Sequence, residues 1–319
     1  MSARRFDIGS DMQGRTCLVT GATDGHGKAV ALALAERGAD VVLHGRSREK
    51  TLAVRDEVAR AAGGKAPEIL LADLARPDEI DAAVATYVAS GRPLHVLVNN
   101  AGLVGLSRRT NEQGLELTFA VNYLAMFRLT LGLLPRLLES APARIVNVSS
   151  DTYRIAKLDL EDLQLERGYS MTKAYAQSKL AIVYFTLELA RRLDGARMGG
   201  RAEDRADDRA EGRVDGLPGG RVTVNAVDPG PVASNIGADN PGLAYRLIGP
   251  LIRGFFPSAS RAARTALILA TDPALESETG GYYRSRKRRA HPLDFDPELS
   301  RALWARSLAL CGIAEPRIG

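Results

Sequence analysis

Residues 169–179 read YSMTKAYAQSK and contain two overlapping Tyr-x-x-x-Lys pairs, Tyr169 with Lys173 and Tyr175 with Lys179. Residues four apart on a helix lie on the same face, so each lysine would lie beside its tyrosine. A phenol has a pKa near ~10, and a neighbouring ammonium group that stabilises its anion can make it an acid–base catalyst. The alternative interpretation of either pair is two surface side chains on a helix.

The flanking sequence favours the second pair. Residues 175–193, YAQSKLAIVYFTLELARRL, continue without interruption into a long amphipathic pattern that predicts a rigid helix. Tyr169 follows Gly168 and would lie at the frayed start of that helix. We therefore predict that Tyr175 and Lys179 are the functional pair.

A glycine-rich turn precedes a second helical pattern near the start of the chain. The stretch TGATDGHG places Gly21, Gly25 and Gly27 between an apolar run and the helical KAVALALAERG. Glycines at such a turn let the backbone approach a pyrophosphate, which then binds the free N–H groups of a helix N-terminus. The context predicts a dinucleotide site, and the alternative is an ordinary strand-to-helix turn.

Short apolar runs alternate with longer helical patterns along the chain. These runs are nearly continuous in apolar residues, as in strands of a parallel sheet that helices cover on both faces. The pattern predicts the α/β class with a doubly wound parallel sheet, and ligands bind at the carboxyl ends of such strands. The predicted strands are TCLVT (16–20), VVLH (41–44), EILLA (68–72), HVLVN (95–99), RIVNV (144–148) and VTVNAV (222–227).

Composition narrows the functional class. The chain has 319 residues, of which 45% are hydrophobic and 25% charged, and a net charge of +5. The charge is dispersed apart from RSRKRR at 284–289, which we interpret as a solvated turn, so we predict no nucleic-acid partner.

Cys17 and Cys311 are too few and too far apart for a disulfide framework or a metal site. With no signal peptide expected at the start, a cytoplasmic location is predicted.

Two segments interrupt or follow the predicted domain. Residues 194–220 are rich in Gly, Arg and Asp and have almost no large apolar side chain, which predicts a disordered insertion. We therefore expect one α/β domain over residues 14–290, interrupted by that insertion. A tail with a short helix is expected over residues 291–319.

Several motifs together resemble the short-chain dehydrogenase/reductase family, whose signature is T-G-x-x-x-G-x-G. The chain also has AD at 72–73, NNAG at 99–102, VN at 121–122, VSS at 148–150 and DPG at 228–230, in the order of that family. The YxxSKLA that opens at Tyr175 resembles the retinol dehydrogenase-like branch. The resemblance implies a single Rossmann-fold domain over about residues 14–283, with a C-terminal lid region. His26 departs from the usual aliphatic residue in the glycine turn.

The resemblance implies a catalytic set of Asn122, Ser150, Tyr175 and Lys179. Tyr175 would be the acid–base group, Ser150 would hydrogen-bond the carbonyl oxygen, and Asn122 would hold a water that links Lys179 to solvent. Ser149 is the alternative serine, and backbone capping is the alternative role of Asn122. The cofactor would contact Gly21, Thr23, Asp24, Gly25, His26, Gly27, Arg46, Asp73, Leu74, Asn100, Ala101, Gly102, Tyr175, Lys179, Pro229, Gly230 and Val232.

The end of the second strand predicts NADP(H) as the cofactor. An NAD-specific fold has an acidic residue there, whereas this chain has Gly45 followed by Arg46, with Ser47 and Arg48 in reach. A guanidinium can bind a 2′-phosphate through two parallel hydrogen bonds. We expect Gly45→Asp combined with Arg46→Ile to reverse the preference. The alternative interpretation is an arginine exposed in a loop.

Residues 243–256, LAYRLIGPLIRGFF, follow the DPG turn where the family has a mobile lid. Their apolar side chains predict a pocket for a lipophilic alcohol, aldehyde or ketone; the alternatives are a helix packed on the core or contact with a membrane surface. The predicted function is therefore NADP(H)-dependent interconversion of such an alcohol and its carbonyl compound. Reduction of C=C bonds, modification of sugars and a non-catalytic NADP(H)-binding regulator remain alternatives. Family resemblance also makes a homo-oligomer an expectation.

Overall fold

The computed structural model describes residues 11–207, 221–230, 258–289 and 295–316. Within these ranges the chain forms an eight-stranded sheet in the order β3-β2-β1-β4-β5-β6-β7-β8. All neighbouring strands pair in parallel except β7 and β8, which form an antiparallel hairpin. The predicted doubly wound α/β sheet is thus confirmed.

The element bounds follow the sequence patterns closely. The strands are β1 Thr16–Val19, β2 Asp40–Gly45, β3 Glu68–Leu71, β4 Val96–Asn99, β5 Ala143–Val148, β6 Val222–Asp228, β7 Tyr282–Arg284 and β8 Lys287–Arg289. The helices are α1 Gly25–Ala35, α2 Arg48–Ala61, α3 Pro77–Ala89, α4 Leu117–Glu139, α5 Met171–Asp207, α6 Ala259–Thr271 and α7 Pro297–Cys311. Short 3₁₀ turns cover Asp151–Ile155 and Pro273–Leu275.

Alternation along the strands places a separate core on each face of the sheet. Leu18 packs into one cluster together with residues of α3, α4, α5 and α7. Its neighbours Cys17 and Val19 pack into a second cluster with residues of α1, α2 and α6. Because successive strand residues point to opposite faces, a nearly continuous apolar strand serves both cores.

Helix α4 is the apolar helix of the first core. It is long and apolar enough to cross a membrane, but 83% of its most apolar stretch is buried within the protein. A π-helical turn over Ala120–Leu124 interrupts its α-helical hydrogen bonding, and all five residues of that turn are buried. Such turns are frequent at functional sites, and this one contains Asn122.

Helix α5 extends beyond the point at which sequence predicts disorder. It continues to Asp207, so residues 194–207 are helical, contrary to the expectation of a disordered insertion over 194–220. Alanine, arginine and glutamate are good helix formers, and they let a helix that is already nucleated continue without an apolar face. Residues 208–220 lie outside the described residues, and the limits of the domain remain a prediction.

The C-terminal helix α7 belongs to the first core. Trp304 is 2% exposed, and its ring stacks on Phe185 at a centroid distance of 5.8 Å. The guanidinium of Arg192 lies 4.3 Å from the Trp304 ring centroid, on a side chain that also pairs with Glu315. The predicted short helix in the tail is present, but it packs as part of the domain. The predicted lid residues 243–256 lie outside the described residues.

Candidate active site

A cavity of about 1210 Å³ lies where the sheet strands end. Most of the predicted site residues line it, although Gly25 and Asn122 do not, and Val232 lies outside the described residues. The predicted residues in its lining are Gly21, Thr23, Asp24, His26, Gly27, Arg46, Asp73, Leu74, Asn100, Ala101, Gly102, Ser150, Tyr175, Lys179, Pro229 and Gly230.

The glycine turn passes so close to the end of β4 that side chains are excluded. A Cβ on Gly27 would lie 2.3 Å from Asn100 Nδ2 and 2.4 Å from the Gly21 carbonyl oxygen. Gly21 has a φ of +62°, a conformation that other residues rarely adopt. The turn therefore presents bare backbone to the cavity at the start of α1.

The N-terminus of α1 has the features of an anion site. Asp24 is its N-cap and accepts a hydrogen bond from the Gly25 N–H at 2.7 Å. The next N–H groups of the first turn have no intrahelical acceptor, and the helix dipole adds partial positive charge there. Together with the bare glycine turn, this end of the cavity fits a dinucleotide pyrophosphate.

His26 has a structural role that explains its departure from the family pattern. Asn100 Nδ2 donates to the carbonyl oxygens of Thr20 and Gly21, at 2.8 and 3.2 Å, so its Oδ1 is the acceptor. His26 Nδ1 lies 2.8 Å from that oxygen and therefore donates its proton. Burial lowers the pKa of His26, opposed by this hydrogen bond. The imidazole thus links α1 to the end of β4.

The end of β2 presents basic and small side chains to the cavity. Gly45, Arg46, Ser47 and Lys50 all line it, while Arg48 does not. Ser47 is the N-cap of α2, and its hydroxyl accepts from the Lys50 N–H at 3.3 Å. The first turn of α2 therefore brings residue 50 to the cavity and turns residue 48 away from it.

The Tyr175 phenol and the Lys179 ammonium lie together in the cavity wall. Lys179 Nζ donates to the Val148 carbonyl oxygen at 3.0 Å and lies 5.4 Å from the Tyr175 ring centroid. Burial lowers the pKa of Lys179 to about 8, and the charge of Asp228 opposes this shift. Burial raises the pKa of Tyr175 to about 12, opposed by a hydrogen bond to Ser150 and assisted by Asp228.

Two serines end β5, and their environments differ. Ser149 is 2% exposed, and its hydroxyl donates to the Lys179 carbonyl oxygen at 2.9 Å. Both serines line the cavity, but Ser150 is half-buried, and its hydroxyl is close enough to Tyr175 to oppose the rise of the Tyr175 pKa. The hydroxyl of Ser150 is therefore the more accessible of the two to a molecule in the cavity.

Asn122 is 1% exposed and its side chain is fully engaged. Oδ1 accepts from the Leu103 N–H at 2.7 Å, while Nδ2 donates to the Leu103 carbonyl oxygen at 2.9 Å and to Ser178 Oγ at 3.0 Å. These contacts match the alternative role of Asn122 as a backbone cap. A relay water on Asn122 remains a prediction.

The first Tyr-x-x-x-Lys pair lies elsewhere. Tyr169 precedes α5, and its hydroxyl donates to the Gly105 carbonyl oxygen at 2.9 Å. Lys173 is exposed, and neither residue of this pair lines the cavity. Tyr169 therefore fastens the loop after β4 to the start of α5.

Several residues in the cavity lining were not predicted from the sequence. Leu103, Leu117 and Val121 form an apolar part of the wall, and a charged cluster lies in the same lining. That cluster contains Asp151, which directly follows Ser150, together with Asp228 of the DPG motif and Arg284 of the basic run. The motif positions of Asp151 and Asp228 were a signal, whereas nothing in the sequence pairs Arg284 with them.

Comparison with known proteins gives a consistent assignment. Residues 15–197 match the family model of the short chain dehydrogenases. Human retinol dehydrogenase 13 is 34% identical over 311 residues, covering 96% of this chain and 87% of the relative. Human polyprenol dehydrogenase is 34% identical over 309 residues, covering 94% of this chain and 86% of the relative.

A solved structure shares the same architecture. An uncharacterised protein from Mycobacterium paratuberculosis superimposes with a TM-score of 0.69 at 27% identity, covering 97% of both chains. The fold, the glycine turn beside the cavity and these relatives agree with one another. The chain belongs to the short-chain dehydrogenase/reductase family of oxidoreductases and is similar to its retinol dehydrogenase members.

Proposed function

We propose that the protein is an NADP(H)-dependent oxidoreductase that interconverts a lipophilic alcohol and its aldehyde or ketone, with Tyr175 as the acid–base group. The observation that carries the proposal is the convergence of Tyr175, Ser150 and Lys179 in the wall of one cavity, beside a glycine turn that fits a pyrophosphate. A non-catalytic regulator would not require these three groups in contact.

The residues of the cavity fit a nicotinamide dinucleotide. The glycine turn and the N-terminus of α1 would hold the pyrophosphate, and Arg46 with Lys50 would hold a 2′-phosphate. Asp73, Leu74, Asn100 and Gly102 would line the rest of the bound molecule. When bound, NADP(H) supplies or accepts the hydride.

The protein's own side chains supply the proton chemistry. With a pKa of about 12, Tyr175 is protonated at neutral pH, so its hydroxyl can donate to a carbonyl oxygen during reduction. The Ser150 hydroxyl hydrogen-bonds the same oxygen and holds it within reach of the phenol. In the oxidation direction Tyr175 must release its proton, which the ammonium group of Lys179 favours because it stabilises the phenolate.

Lys179 can return the proton through its own ionisation. Its pKa of about 8 lies near neutrality, so the group exchanges protons readily at physiological pH. A Cβ built on Gly102 would lie 3.1 Å from Asn122 Oδ1 and 3.7 Å from Lys179 Nζ, so these two groups flank Gly102. We infer that a proton passes from Lys179 to solvent along the side of the cavity formed by Gly102 and Asn122.

Two observations support a lipophilic substrate. The described lining of the cavity contains Leu103, Leu117 and Val121, which offer apolar surface to a bound molecule. The relatives with 34% identity are named for retinol and polyprenol, both of which are long apolar alcohols. The identity of the substrate is thus proposed as a class, namely a primary or secondary alcohol with a long apolar body.

The test compares two tyrosine variants with retinol and NADP⁺ as the probes. We expect Tyr175→Phe to lose kcat by at least about 100-fold, the lower range for an acid–base group, and to keep its affinity for NADPH. Tyr169→Phe is the matched control, because neither Tyr169 nor its acceptor Gly105 lines the cavity, and it should keep most of the activity. Full activity in Tyr175→Phe with loss in Tyr169→Phe would contradict the assignment.

Cellular location and assembly are further parts of the proposal. We propose the cytoplasm, where free thiols persist, because Cys17 and Cys311 are buried and unpaired. A homo-oligomer is proposed from family resemblance alone. Cell fractionation tests the location, and sedimentation tests the assembly, since a mass near 34 kDa at all concentrations would contradict an oligomer.

A further inference from the structure

Three charged side chains of the cavity lining lie in contact. Asp151 begins the 3₁₀ turn after β5, Asp228 ends β6 and Arg284 ends β7. Arg284 Nε lies 3.1 Å from Asp228 Oδ2, and the same guanidinium donates to Asp151 Oδ2. Arg284 thus bridges the two carboxylates of the lining.

Asp228 is buried between the ends of β6 and β7. It is 4% exposed, and its Oδ1 accepts from the Gly230 N–H at 2.8 Å. The backbone N–H of Asp151, the residue directly after Ser150, favours the charged carboxylate and so opposes the rise of the Asp228 pKa. The side chain of Asp151 is in turn held by Arg284 and by the Tyr282 hydroxyl at 3.0 Å. The backbone that follows Ser150 is therefore fixed from β6 and β7.

Charged and titratable groups from each neighbouring element face this cluster. The 3₁₀ turn contributes Tyr153 and Arg154, whose Nε lies 3.3 Å from Asp151 Oδ1, and β7 contributes Tyr282. Helix α5 contributes Tyr175 and Lys179, and the charge of Asp228 acts on both.

The effects of these charges have definite signs. Burial is the main cause of the raised pKa of Tyr175, and the carboxylate of Asp228 adds to it. Burial also raises the pKa of Asp228, which the charge of Arg284 opposes. Arg284 therefore favours the ionised carboxylate and at the same time neutralises much of its field.

We propose that Asp228 and Arg284 are positioning residues for the proposed reaction, holding the backbone after Ser150 and balancing the charge beside Tyr175. The inference rests on the proposed role of Tyr175 as the acid–base group. Neither side chain transfers a proton or contacts the reacting atoms. Their effect passes through Ser150 and Tyr175.

The charge balance predicts opposite shifts for the two single variants. Asp228→Asn removes a negative charge that acts on Tyr175, so the phenolate becomes easier to form. Arg284→Met removes the positive charge paired with Asp228, so the phenolate becomes harder to form. In the oxidation direction activity rises with pH as the coupled Tyr175 and Lys179 lose a proton, and the charge of Asp228 raises the pKa of both groups. We expect this limb to move by about one pH unit, downward in Asp228→Asn and upward in Arg284→Met.

The experiment measures kcat and kcat/KM against pH for retinol oxidation with NADP⁺. Arg284→Lys keeps the positive charge. The rising limb of its pH profile should therefore stay near that of the wild type, even if its kcat is lower. Arg288→Met is the matched control, because Arg288 lies in the same hairpin, pairs with Glu278 at 2.6 Å and does not line the cavity. Its profile should match the wild type.

Two results would overturn the inference. One is a loss of rate in Asp228→Asn and Arg284→Met with unmoved limbs, and the other is a shift of both limbs in the same direction. If Asp228→Asn does not fold, as judged by circular dichroism, the comparison of Arg284→Met with Arg284→Lys decides alone. Tyr175→Phe separates the two proposals, because retained turnover in that variant contradicts the proposed function itself.

Discussion

Gly45 is restricted by the protein itself as well as by the proposed cofactor. A Cβ at this position would lie 2.5 Å from Thr51 Oγ1 and 2.6 Å from Thr23 Cγ2. Thr51 is fully buried, and its hydroxyl donates to the Ser47 carbonyl oxygen at 2.7 Å, so it cannot move away cheaply. The reversal of cofactor preference by Gly45→Asp with Arg46→Ile, which the sequence suggests, is therefore not expected.

Arg46 offers a cleaner test of cofactor preference. We expect Arg46→Ala to raise the KM for NADPH about 10- to 150-fold, since a hydrogen bond to a charged group contributes roughly 1.5–3 kcal/mol. The KM for NADH should change little, because NADH has no 2′-phosphate. Steady-state kinetics with both cofactors measure the two values.

The control for this prediction is Arg48→Ala. The Arg48→Ala substitution removes the same charge two residues further along the chain, and Arg48 does not line the cavity. Both KM values should stay near those of the wild type. Equal turnover of NADH and NADPH by the unmodified protein would remove the basis for assigning Arg46 to a 2′-phosphate.

At the level of elements, the start of α4 depends on one buried carboxylate. Glu116 is 1% exposed, and its two oxygens accept from the N–H groups of Thr118 and Phe119 at 2.9 and 2.7 Å. The first N–H groups of a helix have no acceptor within the helix, and here burial leaves no water to accept from them. The same helix presents Asn122, so its start also sets the place of the loop after β4.

Glu116→Ala should lower the free energy of unfolding by about 1–2 kcal/mol, the usual loss for an N-cap side chain. Chemical denaturation monitored by circular dichroism measures the change. Glu112→Ala is the control, because Glu112 is 65% exposed and only pairs with Arg76 on the surface. An equal loss in both variants would show that Glu116 does not act as a cap.

The sequence predicts those elements in which pattern and site are contiguous. Gly21 to Gly27 follow β1 directly, and Tyr175 with Lys179 lie one turn apart, so local spacing is enough to place them. Arg284 lies 56 residues after Asp228 in the chain and meets it only because β7 pairs with β6. The helical continuation to Asp207 was missed for another reason, since a lack of apolar residues does not prevent an established helix from extending.

For the whole molecule, a buried imidazole predicts how stability depends on pH. His44 is 2% exposed, and its Nδ1 accepts from the Gly21 N–H at 3.3 Å. Burial lowers its pKa from 6.5 to about 4. Between these values the unfolded chain binds a proton that the folded protein does not. The contribution of His44 therefore destabilises the fold progressively as the pH falls from about 6.5 to about 4.

The test is the difference between wild type and His44→Gln in free energy of unfolding, measured by urea denaturation at several pH values. The wild type should lose up to about 3 kcal/mol relative to the variant across this window, because each pKa unit corresponds to ~1.36 kcal/mol. Other titrating groups cancel in the difference. Two curves that run parallel would contradict a neutral His44 in the folded state.

The place of α7 in the core has a consequence for biosynthesis. Helix α7 leaves the ribosome after all the described strands, and it covers Phe127 and Phe185 through the ring of Trp304. Until then one side of the assembled sheet keeps an uncovered aromatic surface. Chaperones bind surfaces of this kind, and chains that expose them tend to aggregate. A stop codon shortly before residue 297 would therefore release a product with every proposed catalytic residue and a permanently exposed core, which quality control would degrade.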